Sequence, residues 1–188
     1  ELKTAGIPDR NAYDASQATK NQALSEDLGD NDPAGIGRKP KYAKVYVKED
    51  DAGKPELVVL PIQGYGLWGT IYGFLTLESD MNTIKGISFY EHKETPGLGA
   101  RIEEPEWRAQ WNGIHSYDDN GDVATGVTKA GNPKDNWVDG ISGATLTSRG
   151  VSNMIQFWLG DQGYKPYLDM LGKESGQTLD DADAQANQ

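Results

Sequence analysis

Cysteine is absent from the 188 residues, which excludes disulfides, cysteine-ligated zinc, iron–sulfur clusters and thiol catalysis together. Histidine is almost absent. His92 and His115 are far apart and have no partner at ligand spacing, so no metal site is expected. Long apolar runs are missing as well: stretches such as Leu57–Ile62 have strand length, far below the roughly eighteen residues of a membrane helix. Positive charge is scarce. Eighteen Lys and Arg against 29 Asp and Glu leave a net charge of −11, a surface that repels nucleic-acid phosphates and anionic lipid. No signal peptide is readable and the chain starts at Glu1 rather than methionine, so a processed protein or an excised piece of a longer one is expected.

What is present suffices for a folded domain. Hydrophobic residues make up 36% of the chain, with 23 glycines besides, and a chain of this length can bury a core. Residues 1–41 are polar and Gly/Asp-rich, with at most one short helix around Ala15–Leu28. Residues 42–172 carry the ordered pattern, and 173–188 have almost no apolar residues and read as a loose tail. Strands are expected at Tyr42–Lys48, Leu57–Ile62, Thr70–Leu77, Thr83–Tyr90 and Gly121–Lys129, with Glu78–Asn82 closing a hairpin. Pro105–Trp111 reads as a short helix with Trp107 and Trp111 on one face. The clearest helix holds Val151, Met154, Ile155, Trp158 and Leu159 at helical spacing, with Gly160 as C-cap. Strands first and the main helix late suggest α+β, a twisted, mostly antiparallel sheet flanked by helices.

Several motifs dissolve on inspection. Gly64-Tyr65-Gly66-Leu67-Trp68-Gly69 matches G-x-G-x-x-G, but a strand follows it where a dinucleotide site needs a helix. It is kept as a glycine-rich corner carrying an aromatic. Asp118–Asp122 lacks the distal glutamate of a calcium loop and reads as an Asn-Gly turn. No G-x-S-x-G elbow organises a nucleophile.

Two segments keep two readings each. Glu94-Thr95-Pro96-Gly97-Leu98-Gly99 is either a long turn or a backbone cradle for a planar or anionic ligand. Asp139-Gly140-Ile141-Ser142-Gly143-Ala144-Thr145-Leu146-Thr147-Ser148 is either a helix cap, with Thr147 or Ser148 as N-cap, or an anion site at a helix start.

The stretch from Asp139 to Thr145 resembles the flavinylation motif of the FMN-binding domain family, in which a flavin transferase esterifies the final threonine with FMN phosphate. With Gly66-Leu67-Trp68, Tyr72-Gly73, Glu94–Gly99 and the paired tryptophans, residues 42–172 are similar to the C subunits of sodium-translocating NADH:quinone reductases. That resemblance implies a covalent-FMN relay in a membrane respiratory complex, with other subunits as partners, no catalytic residue and no NADH site of its own. It also implies an N-terminal membrane helix lying outside this chain, and a domain on the periplasmic face of a bacterial inner membrane. Thr145 is then the attachment residue, and Ser142, Gly143, Ala144, Leu146 and Thr147 shape its loop. Trp68, Glu94, Thr95, Gly97, Leu98 and Gly99 are the candidates for enclosing the isoalloxazine, and Lys129 for pairing with phosphate. Two alternatives stand beside this reading: the G subunit of an Rnf electron-transport complex, which shares the threonine motif, and a non-redox extracytoplasmic binding domain in which the Thr145 loop is only a cap.

Overall fold

A computed structural model describes residues 13–174. Its frame is a four-stranded antiparallel sheet in the order β3 (Tyr46–Glu49), β4 (Pro55–Tyr65), β5 (Thr70–Glu78), β6 (Ile84–Glu91). Strict alternation builds it. Val58, Leu60 and Ile62 of β4 and Ile71, Leu75 and Leu77 of β5 turn one face inward, as a half-buried strand requires. Across that face lies α3 (Thr145–Leu159), which buries Val151, Met154, Ile155, Trp158 and Leu159. Helix and sheet approach closely because both carry glycine at the crossing. A Cβ on Gly64 would come within 2.6 Å of Met154 Cβ, and one on Gly150 would strike the Tyr65 carbonyl. The α+β expectation holds, with α2 (Pro105–Ala109) against β6 and α4 (Lys165–Glu174) closing the described chain.

The β5–β6 hairpin forms as expected. Asp80 fixes its turn by accepting from the amides of Asn82 and Thr83 at 2.9 and 2.8 Å. Trp107 and Trp111 meet edge-to-face at 6.0 Å between ring centroids, and Trp107 Nε1 donates to the Asp139 carbonyl at 2.9 Å. That bond ties the short helix to the segment leading into α3.

Four expectations need correction. The helix around Ala15–Leu28 shrinks to α1 (Ala15–Ala18), capped by Asp14. Ser25–Asp27 (β1) instead pairs with Arg38–Pro40 (β2), a tertiary pairing that overrides local helix propensity. The strand at Tyr42–Lys48 starts only at Tyr46, opposite Val59. Continuing that register would set Lys44 opposite Pro61, which has no amide hydrogen to give.

Gly121–Lys129 is not a strand but a loop touching its neighbours through isolated bridges, Tyr117 with Val123 and Val127 with Val138. Side chains supplement the few backbone bonds there. The Thr125 hydroxyl donates to the Asn136 carbonyl at 2.9 Å, while Ser152 Oγ accepts from the Val127 amide at 3.0 Å. The N-cap of α3 is the fourth case and is taken up with the site.

Packing continues N-terminal to the expected boundary at residue 42. Ala34 belongs to the same buried cluster as the sheet and α3, and its carbonyl accepts from the Tyr65 amide at 2.7 Å. Apart from the end of α4, the expected C-terminal tail lies outside the described residues.

Candidate functional site

Three sequence segments meet at the N-terminal end of α3. The first is the corner Gly66–Gly69 between β4 and β5, closed by the Gly66 amide donating to the Gly69 carbonyl at 2.8 Å. The corner turns Trp68 outward, 61% exposed, beside Leu67. An exposed indole is unusual, and this one is held: its Nε1 donates to Thr95 Oγ1 at 3.1 Å.

The second segment is the loop after β6. Its Thr95 carbonyl accepts from the amides of Leu98 and Ala100, both at 3.1 Å. Gly97 takes φ +73° with nothing near an added Cβ, so glycine serves the backbone conformation there. Gly99, by contrast, is packed: a Cβ on it would meet Thr147 Oγ1 at 2.5 Å and Glu94 Oε2 at 2.7 Å. Leu98 stands out from the loop, 44% exposed.

The third segment is Asp139–Ser148. Asp139 anchors it from both sides. Its amide donates to Gln110 Oε1 at 3.0 Å and its carboxylate accepts from the Gly131 amide at 2.9 Å. Ser142, Gly143, Thr145 and Leu146 are exposed, whereas Ala144, Thr147 and Ser148 are buried. Gly143, at φ +80°, lies under Leu98, whose Cδ2 would be 3.2 Å from an added Cβ.

The helix begins at Thr145, with Ala144 at the N-cap and no side-chain capping bond. Thr147 and Ser148, the expected caps, are spent elsewhere. The Thr147 hydroxyl donates to Glu94 Oε2, and Ser148 Oγ accepts from the Ile141 amide at 3.0 Å. The first-turn N–H groups of α3 thus lack side-chain acceptors, and they carry the partial positive charge of a helix start.

Charge around Thr145 runs against the protein's overall sign. A cleft of about 230 Å³ beside it is lined by Lys129 and Arg149 as well as Thr128, Ser148 and Asn153, with no carboxylate. Arg149 also lines the next cleft, with Tyr65, Leu67 and Leu146. Lys129 was a candidate from the sequence, and the structure places Arg149 in the same cleft beside it. The signal for Arg149 was legible, since it follows Thr145 by four residues and shares its helix face. A groove of about 640 Å³ elsewhere, between α1 and the outer sheet face, is lined by aromatics such as Tyr72, Phe74 and Tyr90. It contains neither Thr145 nor Trp68 and takes no part in this arrangement.

The expected site residues therefore separate by placement. Trp68, Leu98, Thr145 and Leu146 present exposed side chains and Ser142 and Gly143 an exposed loop. Thr95 holds Trp68. Glu94 and Thr147 lie beneath the surface, bonded to each other.

Comparison with known proteins gives a consistent result. The family described as FMN-binding domain matches residues 66–160. The chain is 46% identical over 167 residues to the C subunit of the Na(+)-translocating NADH-quinone reductase of Pseudomonas aeruginosa, covering 86% of this chain and 64% of that protein. The Vibrio vulnificus protein of the same name is 44% identical over 174 residues, covering 89% and 68%. The crystal structure of NqrC from Shewanella oneidensis superposes with a TM-score of 0.81 at 38% identity, covering 88% of this chain and 77% of that one. The crystal structure of the corresponding protein from Parabacteroides distasonis gives a TM-score of 0.63 at 32% identity, with coverage of 85% and 70%. The chain spans 64% of the length of the Pseudomonas aeruginosa relative and 60% of the Yersinia pestis one.

Proposed function

The chain belongs to the FMN-binding domain family, among the C subunits of Na(+)-translocating NADH-quinone reductases, and on that premise we propose that it is an electron-relay subunit bearing FMN covalently on Thr145. The observation that carries this reading is the convergence of the exposed Thr145 with the exposed Trp68 and Leu98. They sit on segments joined through Glu94 and Thr147.

The residues present fit such a group. FMN in a phosphodiester linkage would supply the redox chemistry. The chain supplies attachment, orientation and charge. Thr145 offers the attachment oxygen, and the small residues Ser142, Gly143 and Ala144 leave room around it. Lys129, Arg149 and the first-turn amides of α3 would face the phosphate charge. Trp68 and Leu98 would offer apolar surface to the ring system, with Thr95 orienting the indole and Gly97 bending the loop that carries Leu98. Leu146 would border the site on the side of Tyr65.

The wider assignment follows from the same premise. The partners would be the other subunits of a membrane complex passing electrons from NADH to quinone and exporting sodium, with a flavin transferase for maturation. The membrane anchor would lie outside this chain, and the domain on the periplasmic face of a bacterial inner membrane. None of the helices among the described residues is long and apolar enough to cross a membrane. The reading of the Thr145 loop as a plain cap has less support, because α3 has no side-chain cap for it to provide.

Co-expression with a flavin transferase followed by peptide mapping tests the assignment. The expected product is one FMN on the Thr145 peptide and none in Thr145→Ala. FMN on Thr147 or Ser148, or colourless protein in the presence of active transferase, would overturn it.

A further inference from the structure

Glu94 is only 5% exposed, yet no cation lies within ion-pair distance of it among the described residues. Its partners are all neutral donors. Oε1 accepts from the amides of Leu67 at 3.0 Å and Trp68 at 3.1 Å, and Oε2 accepts from the Thr147 hydroxyl. Its own amide donates to His92 Nδ1 at 3.1 Å, which holds the start of the loop. The surroundings are cut to the carboxylate: a Cβ on Gly66 would stand 2.5 Å from Oε1, and one on Gly99 2.7 Å from Oε2. A buried carboxylate is costly to desolvate, and an apolar side chain of similar volume would fill the space at less cost. Packing alone therefore does not explain an acid here.

We propose that Glu94 is the positioning residue of this site: one planar carboxylate fixes the corner that carries Trp68 relative to the helix turn that carries Thr145. The functional half of the statement rests on the FMN reading; the geometric half does not. The two oxygens divide the work. Oε1 holds the Gly66–Gly69 corner by two backbone bonds, so the direction of the Trp68 side chain is set at its root. Oε2 holds α3 through Thr147, two residues beyond Thr145. Thr95, next to Glu94 in sequence, takes the indole Nε1 and fixes the far end of the same side chain. A planar ring tethered at Thr145 then meets Trp68 at one angle, rather than sampling several.

The test has two arms on the full chain. In unflavinylated protein, the indole N–H resonance of Trp68, assigned with Trp68→Phe, reports the corner without any flavin. Thr147→Val removes one bond and keeps the volume. Glu94→Ala removes all three, and Glu94→Asp keeps the carboxylate but withdraws it by one methylene. The expected result is a shifted or exchange-broadened Trp68 signal in all three, restored by Thr147→Ser. One lost hydrogen bond corresponds to about a fivefold lower preference for the ordered corner. In protein flavinylated by the transferase, the same variants should lose the visible circular dichroism of the bound flavin, with Thr147→Ser restoring it.

An unchanged Trp68 resonance in folded Thr147→Val and Glu94→Asp overturns the positioning role. So does wild-type flavin dichroism in both. If Glu94→Ala fails to fold, the Thr147 pair still decides. If Trp68 shifts as expected but wild-type protein takes no FMN, the function reading fails and the geometric role of Glu94 stands.

Discussion

The indole of Trp68 donates to Thr95 Oγ1 at 3.1 Å although most of the Trp68 surface faces solvent. Exposed side chains ordinarily gain little from such a bond, because water competes for both partners. Here the two residues belong to segments already joined through Glu94, so the bond sets orientation rather than stability. Thr95→Val, which keeps the shape and removes the acceptor, should leave thermal unfolding within about 0.5 kcal/mol of the parent. It should also increase the mobility of Trp68, read as faster decay of its fluorescence anisotropy. Unchanged anisotropy would mean that the corner alone fixes the ring.

Ser148 offers a contrasting case, because it is buried and its hydroxyl oxygen takes the Ile141 amide. Ser148→Ala should strand that N–H and cost about 1–3 kcal/mol. A denaturant melt measures it. The loss should fall on the Ile141–Ala144 loop, so hydrogen exchange at Ile141 should rise more than at Leu60 in the sheet.

Arg149 lines the two clefts that flank Thr145 and Leu146. Exposed as it is, replacing it should barely move the melting temperature of unflavinylated protein. Attachment of a phosphodiester should raise that temperature in the parent, by less in Arg149→Gln, and by least in Arg149→Glu. Equal gains in all three would show that the guanidinium does not face the phosphate. Lys129→Gln provides the parallel measurement for the other cation that lines the first cleft.

The corner after β4 also bears on nucleotide chemistry. Its G-x-G-x-x-G glycines lead into β5, so none of their amides opens a helix toward a pyrophosphate. Flavinylated protein should be bleached by dithionite and should stay oxidised in NADH alone over the same interval, followed by absorbance. Rapid bleaching by NADH without another subunit would reveal a nucleotide site in this chain.

Alkaline pH probes the core instead. The phenols of Tyr117 and Tyr164 donate to the carbonyls of Leu159 at 2.8 Å and Pro61 at 2.6 Å. Burial pushes both well above the ordinary value of 10.0, aided by the nearby carboxylates of Asp169 and Asp161 for Tyr117 and by Tyr13 for Tyr164. The unfolded chain releases these protons first. Their contribution is therefore complete below about pH 10 and declines above it, by about 1.4 kcal/mol per tyrosine per pH unit. Urea midpoints at pH 8 and pH 11 should differ less in Tyr117→Phe/Tyr164→Phe than in the parent.

The sequence by itself determined the three long strands of the sheet and the main helix, and its resemblance to the FMN-binding domain family supplied the candidate attachment residue. Alternation in β4 and β5 and helical spacing from Val151 to Leu159 are local patterns, and each has one efficient way to bury its apolar face. The glycine-rich corner, the Glu94–Gly99 loop and the Thr145 segment were readable as motifs because their small residues and turn formers are unusual in composition. Tertiary structure alone decided what those motifs do to one another. A single sequence gives no sign that Glu94 reaches Leu67, Trp68 and Thr147, since those contacts span 26 to 53 residues. The helix start shows the same limit. Thr147 and Ser148 are good N-caps by local chemistry, but their hydroxyls find partners in Glu94 and Ile141, and the helix begins at Thr145 without a side-chain cap. Polar side chains choose partners by proximity in three dimensions, and burial makes an unfilled acceptor expensive. Only the folded chain could therefore separate the side chains left free at the surface from those committed to holding it in place.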